Sequence, residues 1–393
     1  MNYILCHYGE IALKGKNRNF FEAQLIQNIK DQLNAFCEGS FEYVKKMSGG
    51  ILIKLNEKGA ANEEIIKDAL LHTFGIANFS FATSVEQDIE TLKNFCLDLM
   101  MPIAKEKKFT TFRVTTQRSN KNFPMTSEEI NREIGGFIFE KLNRKFSVSL
   151  KKPDIECKIF IINEFALVSL KKIEGLGGMP IGTGNKAMAM LSGGFDSPVA
   201  AWQIMRRGVQ LRYAHFHSAP YTSKASIEKV ISLSQELKKF GCSTRLYLIP
   251  FADVQKEIIM KTPERFRVIL YRRMMIRIAE ALAKKEKCLA LITGDSIGQV
   301  ASQTLENILA VSQAATLPIF RPLIGLDKEE IMQKAKFIGT YDISIQPHDD
   351  CCTRLMPKKP ETRAKLWKVL EAEKELDVPE LIKQTLEKTE LIR

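Results

Sequence analysis

Apolar residues recur at helical spacing over Asn19–Phe36 and again over Ile89–Ile103, where Pro102 falls near the end. Glu63–His72 predicts a shorter helix. Between these lie short strand-like runs. Tyr3–Cys6 opens the chain, and Phe41–Val44 and Ile51–Leu55 predict two strands around the turn Ser48-Gly49-Gly50. Ala77–Val85 and the β-branched, aromatic run Thr110–Thr116 predict two more. Thr126-Ser127-Glu128-Glu129 has the spacing of a capping box, opening a helix that reaches Leu142. Ile155–Ile162 and Phe165–Leu170 predict a hairpin around Asn163-Glu164. The first 170 residues therefore form an α+β part, two small strand–helix units in series.

The rhythm then breaks. Residues 175–184, GLGGMPIGTG, hold five glycines and one proline, a stretch that separates domains rather than packing inside one. Beyond it, strands and helices alternate. Lys186–Leu191, Gln210–Phe216, Ser243–Ile249 and Cys288–Thr293 predict strands. Pro198–Arg207, Lys224–Phe240, Phe251–Met260 and Pro263–Lys284 predict helices. This order implies a doubly wound parallel sheet, whose ligands bind at the carboxyl ends of the strands. The tail from Lys358 reads as helical and highly charged.

Composition narrows the class. With 393 residues, 45% apolar and 26% charged, the chain has material for several cores, which excludes wholesale disorder. No basic stretch and apolar run precede the first strand, and no apolar run approaches the ~20 residues of a membrane helix. A soluble cytoplasmic protein without membrane association is expected. The eight cysteines are scattered and none forms a CxxC pair, so neither a disulfide scaffold nor a cysteine-ligated metal centre is supported. The net charge of +12 suits a polyanionic partner. It is patchy, since residues 51–100 are net acidic while 101–150 and 251–290 are net basic.

The most informative segment is Ser192-Gly193-Gly194-Phe195-Asp196-Ser197, between the first strand of the sheet and a helix. Adjacent glycines let backbone N–H groups turn inward, the two serines add hydroxyls, and the helix aims its positive end at the same spot. No lysine follows the glycines, so this is not the GxxxxGK[ST] loop. SGGxDS after a strand resembles the signature of the PP-loop ATPases, which cleave ATP between the α- and β-phosphates and transfer AMP to a carbonyl oxygen. A carboxylate beside pyrophosphate calls for an intervening cation, so Asp196 is a candidate Mg²⁺ ligand. His215-Phe216-His217 and Thr293-Gly294-Asp295-Ser296 end later strands, and Gln303 offers an amide to a base or phosphate. A basic helix carries Arg265, Arg267, Arg272, Arg273 and Arg277, part of it close to core.

The resemblance then extends over the full length. Residues 8–18, YGEIALKGKNR, look like the N-terminal ferredoxin-like domain of tRNA 4-thiouridine synthetases, the ThiI family. FRVTTQRSNKNFP (112–124) looks like that family's THUMP domain. SGGFDSPVA, HFHSAPYTS, YRRMMIRIAE and TGDSIGQVASQT look like its catalytic domain. The resemblance implies a ferredoxin-like unit (1–75), a THUMP RNA-binding unit (76–173) and an α/β PP-loop ATPase domain (174–393). It implies ATP contacts at Met190, Leu191, His215, Phe216, Arg272, Gly294 and Gln303, beside the loop residues Ser192, Gly193, Gly194 and Ser197. Asp196 matches the family's essential loop aspartate. The implied activity converts uridine at tRNA position 8 to 4-thiouridine, and many members also pass sulfur to the thiamine thiazole.

Sulfur chemistry rests on Cys351 and Cys352. Their Cα atoms lie ~3.8 Å apart, below the ~4.4–6.8 Å of ordinary disulfides, so each thiol is expected to meet a partner elsewhere. Cys351 matches the family's catalytic-domain cysteine. Longer members carry a rhodanese domain whose cysteine bears the persulfide. No cysteine follows Cys352 here, so the persulfide is expected from another protein such as a cysteine desulfurase. Arg113, Arg118, Lys121, Lys141, Arg144 and Lys145 are candidate tRNA phosphate contacts, and Phe123 a candidate base-stacking ring. A homodimer presenting one subunit's RNA-binding half to the other's catalytic half, and a thiamine sulfur-carrier partner, are compatible with this scheme. Two other readings stand beside it: a PP-loop ligase of another type, which would need no persulfide, and a noncatalytic tRNA-binding module, which would turn over no ATP.

Overall fold

The computed structural model describes residues 1–392 except 107–108, 143–144, 221–223, 243–244, 348–356 and 358. The chain divides into two compact units, Met1–Met179 and Pro180–Arg393.

The first unit contains strands β1 (Tyr3–His7), β2 (Phe41–Met47), β3 (Gly50–Leu55), β4 (Asn78–Val85), β5 (Thr111–Arg118), β6 (Ser147–Val148), β7 (Ile155–Ile161), β8 (Ala166–Ser169) and β9 (Ile173–Glu174). Its helices are α1 (Arg18–Cys37), α2 (Glu57–Ala61), α3 (Glu63–Leu71), α4 (Ile89–Lys105) and α5 (Ser127–Lys141). The strands form one sheet in the order β2-β3-β1-β4-β8-β7-β5-β6, with β9 also on β4. The two strand–helix units read from the sequence are joined through β4. Its first half pairs with β1, from Tyr3↔Ala82 to His7↔Asn78, and its second half with β8, from Thr83↔Val168 to Val85↔Ala166.

Period-two alternation sets the layers. In β1, Ile4 and Cys6 face α1 and α3, packing on Leu25, Ile29, Leu33, Ile66 and Leu70. Tyr3 and Leu5 join Leu52, Phe160 and Leu167 on the other face. Farther along the sheet, Phe112, Val114, Cys157, Ile159 and Ile161 pack against Leu92, Cys96 and Met100 of α4 and Ile130, Ile134 and Ile138 of α5. The expected capping box starts α5. Thr126 N–H donates to Glu129 Oε2 at 2.7 Å, and Glu129 N–H donates to Thr126 Oγ1 at 3.3 Å.

The second unit contains β10 (Lys186–Met190), β11 (Gln210–His217), β12 (Leu246–Pro250), β13 (Leu291–Ile292), β14 (Ile319–Phe320) and β15 (Glu390–Ile392). Its helices are α6 (Asp196–Met205), α7 (Lys224–Lys238), α8 (Ala252–Lys261), α9 (Arg267–Lys285), α10 (Leu305–Ser312), α11 (Lys328–Phe337), α12 (Tyr341–Ser344), α13 (Leu366–Glu373) and α14 (Val378–Glu387). The sheet runs β14-β13-β10-β11-β12-β15, parallel except for β15. After β10 the chain builds outward through β11 and β12, then returns to place β13 on the other side. The strand order therefore reverses at β10, where such sheets open a crevice. The tail departs from its all-helical expectation. After α14, residues Glu390–Ile392 pair antiparallel with Leu246–Leu248 of β12 and cover that edge.

No helix among the described residues is long and apolar enough to cross a membrane.

Candidate functional site

The loop after β10 closes on itself through its two serines. Ser192 N–H donates to Ser197 Oγ at 2.8 Å, the two hydroxyl oxygens lie 3.1 Å apart, and the Ser197 hydroxyl donates to Ser192 O at 3.2 Å. Ser197 is buried. Its hydroxyl shapes the bend, whereas the sequence suggested a donor aimed at an anion. Helix α6 begins at Asp196 immediately after the bend. Its unpaired N-terminal amides and dipole favour negative charge there.

The glycine that this geometry demands lies elsewhere. A Cβ on Gly194 would meet only Ser192 Oγ, at 3.7 Å. A Cβ on Gly294, after β13, would lie 2.9 Å from both Asp196 C and Ser197 N. Gly294 lets the end of β13 touch the loop's backbone.

Behind the loop is a cavity of about 380 Å³. Met190, Leu191, Ser192, Asp196, Ser197, His215, Phe216, Arg272, Gly294 and Gln303 all line it, so the topology brings these sequence candidates together. Gly193 and Gly194 lie in the bend itself. Its apolar part includes Ala214, Val268 and Met275. Phe216 is held edge-on by Phe251, with ring centroids 5.4 Å apart. His215 lies 2.9 Å from Leu191 O through Nδ1, which fixes its ring against the loop.

The polar part carries opposed charges. Asp196 Oδ1 is buried with no hydrogen-bond partner among the described residues. Burial pushes the Asp196 carboxyl above its ordinary range, while Gln299 and the Lys328 charge act against this. Lys328 Nζ lies 5.9 Å from the centroid of the Phe195 ring, so a cation stands over the loop. Arg272 pairs with Asp295 and donates to Ser302 Oγ at 3.1 Å. Burial opposes the charge of Asp295, yet Arg272, Thr293 and Arg321 outweigh it and hold the carboxyl down at about 2.

Neighbouring arginines on α9 do a different job. Arg273 is fully buried; its Nε donates to Glu373 Oε1 at 2.9 Å and its Nη2 to Glu373 Oε2 at 2.7 Å. Arg277 also grips Glu373, at 2.8 Å. Burial opposes the Glu373 charge, but the two guanidiniums hold its carboxyl down at about 2. Replacing Glu373 by alanine leaves Arg273 buried and uncompensated, so a stability loss of about 3–5 kcal/mol is expected in denaturant unfolding. In the wild type the stabilisation from this pairing is present above the ordinary carboxyl range and is lost as pH falls toward about 2.

The candidate RNA contacts separate into exposed and committed groups. Lys121, Lys141 and Lys145 are exposed. Lys141 and Lys145 join Lys105, Phe109 and Phe146 around a second cavity of about 440 Å³. Arg113 pairs with Glu156 and donates to Leu150 O at 2.5 Å. Arg118 grips the carbonyls of Phe123, at 3.0 Å, and Met125. That grip folds the loop back and drops Phe123 into the core, where only 7% of it is exposed. The expectation that Phe123 offers its ring to a nucleotide is corrected accordingly. Arg144, Cys351 and Cys352 lie outside the described residues.

Sequence reasoning gave no role to Asp295, Lys328, Val268 or Met275. Val268, Arg272 and Met275 follow i, i+4, i+7 spacing on α9, so the stripe was detectable once Arg272 was chosen.

Comparison with known proteins agrees with this layout along the whole chain. The model of the ThiI ferredoxin-like domain matches residues 3–80, that of the THUMP domain residues 86–171, and that of thiamine biosynthesis protein (ThiI) residues 182–378. A probable tRNA sulfurtransferase of Caldanaerobacter subterraneus subsp. tengcongensis is 45% identical over 379 residues, 96% of either chain. Another from Geobacillus kaustophilus is 41% identical over 394 residues, covering 100% of this chain and 96% of its own. A crystal structure of a 4-thiouridine synthetase–RNA complex with bound ATP superimposes with a TM-score of 0.88 at 36% identity, covering 100% of both chains. With the loop, the cavity and all three domain matches in agreement, the chain belongs to the ThiI family.

Proposed function

We propose that this chain is an ATP-dependent tRNA sulfurtransferase that adenylates O4 of uridine 8 and replaces it with sulfur. The observation that carries the reading is the cavity at the carboxyl end of β10, where a helix N-terminus, Arg272 and the half-buried Asp196 carboxylate meet an apolar slot. The slot formed by Met190, Phe216, Val268 and Met275 suits an adenine ring. The loop amides and Arg272 suit the phosphates.

In this reading O4 attacks the α-phosphorus, pyrophosphate departs, and the N3 proton leaves as the C4–O–AMP ester forms. The terminal sulfur of the persulfide then attacks C4 and AMP leaves with the former O4; a second thiol attacks the inner sulfur, breaking the S–S bond to free 4-thiouridine and leave a disulfide. The orphaned Asp196 Oδ1 fits a hard cation. Bound Mg²⁺ would neutralise charge on the departing pyrophosphate. Cys351 carries the sulfur or resolves a donor's persulfide, with Cys352 beside it. The persulfide comes from a separate protein such as a cysteine desulfurase, and the thiamine branch and a homodimer belong to the same proposal. So do a cytoplasmic location, the divisions 1–75, 76–173 and 174–393, and the tRNA contacts of the exposed lysines.

Protein, tRNA, Mg-ATP and a persulfide source should together generate the near-ultraviolet absorbance of thiolated base, and omission of ATP should abolish it. Absence of that absorbance in the complete mixture would sink the reading. Cys351→Ser should leave pyrophosphate release intact and stop sulfur insertion. If Cys352→Ser alone does so, Cys352 is the working thiol.

A further inference from the structure

Asp295 sits just past β13, with its side chain only 5% exposed. Its two oxygens collect four side chains. Arg272 pairs with Oδ1, and Gln303 Nε2 lies 3.4 Å from the same atom. The Thr293 hydroxyl donates to Oδ2 at 2.8 Å, and Arg321 Nε donates to Oδ2 at 3.1 Å. Arg321 in turn donates to Ser312 Oγ on α10 at 2.8 Å. One buried carboxylate therefore ties together α9, the segment carrying Gln303, the end of β14 and α10.

Three of the four, Arg272, Thr293 and Gln303, line the cavity together with Asp295 itself; Arg321 stands behind them. An arginine facing a cavity with nothing to hold it retains many rotamers, and ordering it on ligand binding costs entropy. Here one guanidinium nitrogen of Arg272 is held by Asp295 and another by Ser302. Its fork is fixed before any ligand arrives. One carboxylate between two guanidiniums leaves this cluster, though not the wall as a whole, with a net single positive charge.

We infer that Asp295, itself in the cavity wall, is the positioning residue of the nucleotide cavity: it acts on the triphosphate through its neighbours, by fixing the Arg272 guanidinium and the Gln303 amide in place. The inference rests on the ATP reading proposed above. Its content is distinct, because it assigns a carboxylate, which by itself repels phosphate, a role in phosphate recognition.

The test is a double-mutant cycle read by equilibrium binding of ATP, adenosine and tRNA. Asp295→Asn keeps the side chain's size and removes its charge. ATP affinity should fall by about tenfold, the scale of one charge-assisted hydrogen bond. Adenosine, which has no phosphates for Arg272 to meet, should bind as before, and so should tRNA. In an Arg272→Ala background, Asp295→Asn should cost far less than tenfold, about twofold remaining through Gln303, because Asp295 and Arg272 act as one unit. Losses that simply multiply would overturn the inference. So would undiminished ATP affinity in Asp295→Asn, or adenosine affinity that falls in step with ATP. If two unneutralised guanidiniums unfold the single variant, the charge-balanced pair Asp295→Asn with Arg321→Met carries the same cycle. Wild-type protein that binds no ATP would remove the nucleotide reading itself, whereas wild-type binding with multiplied losses removes only the role of Asp295.

Discussion

Asp196→Ala should bind tRNA as the wild type does and release pyrophosphate at least about 100-fold more slowly, the scale of losing one preorganised electrostatic group. The candidate RNA contacts lie in the other compact unit, so their affinity has no reason to change. The half-buried carboxylate stands at the start of α6 with one buried oxygen unpartnered among the described residues, a position kept for something positive. Asp196→Asn should fail nearly as badly, since it retains shape and loses charge. The wild-type pH profile supplies an independent check. Burial raises the Asp196 pKa, so its proton is taken up at higher pH than by an ordinary aspartate. As pH falls, cation binding by the free enzyme should therefore be lost at higher pH than for an ordinary aspartate, and the asparagine variant should lack that limb. Pyrophosphate release near the wild-type rate would take Asp196 out of the chemistry.

Gly294→Ala should cost about as much, although it removes no functional group. The new Cβ would lie 2.9 Å from the main-chain atoms Asp196 C and Ser197 N, which cannot rotate away. The bend must shift, and a displacement near 1 Å at a catalytic centre costs about 100-fold in rate. Single-turnover pyrophosphate release measures the loss, and thermal unfolding separates displacement from collapse. Turnover within a few-fold of wild type would mean that the end of β13 yields and the close approach is incidental. Gly194→Ala is the control, because its Cβ finds ordinary contact distance.

The sequence disclosed most of the fold because alternation and helical spacing are local signals. Tyr3–His7 is a short apolar run, Thr111–Arg118 alternates visibly, and the Thr126/Glu129 box marks its helix start. Two-residue strands such as Ser147–Val148 and Ile173–Glu174 carry no period, and Glu390–Ile392 becomes a strand only because β12 offers it an edge. The same limit applied to the site. SGGFDS announced an anion loop through its residue types. Which glycine the loop leans on depended on β13 arriving beside it, nearly a hundred residues later. Arg272 and Arg273 are neighbours in sequence, but the 100° step of a helix sends one to the cavity and the other to Glu373. Phe123 looked available among basic residues; the Arg118 hold on two carbonyls is a tertiary fact with no sequence signature.

Because β4 lends one half of its length to β1 and the other to β8, bending between the ferredoxin-like and THUMP segments would rupture a ladder rather than flex a tether. The pair should move as a stiff plate. With eight strands along its path at ~4.8 Å spacing, that plate spans on the order of 30 Å from β2 to β6. A nucleic acid touching both margins would be gauged against a fixed length, as with a caliper whose jaws are locked.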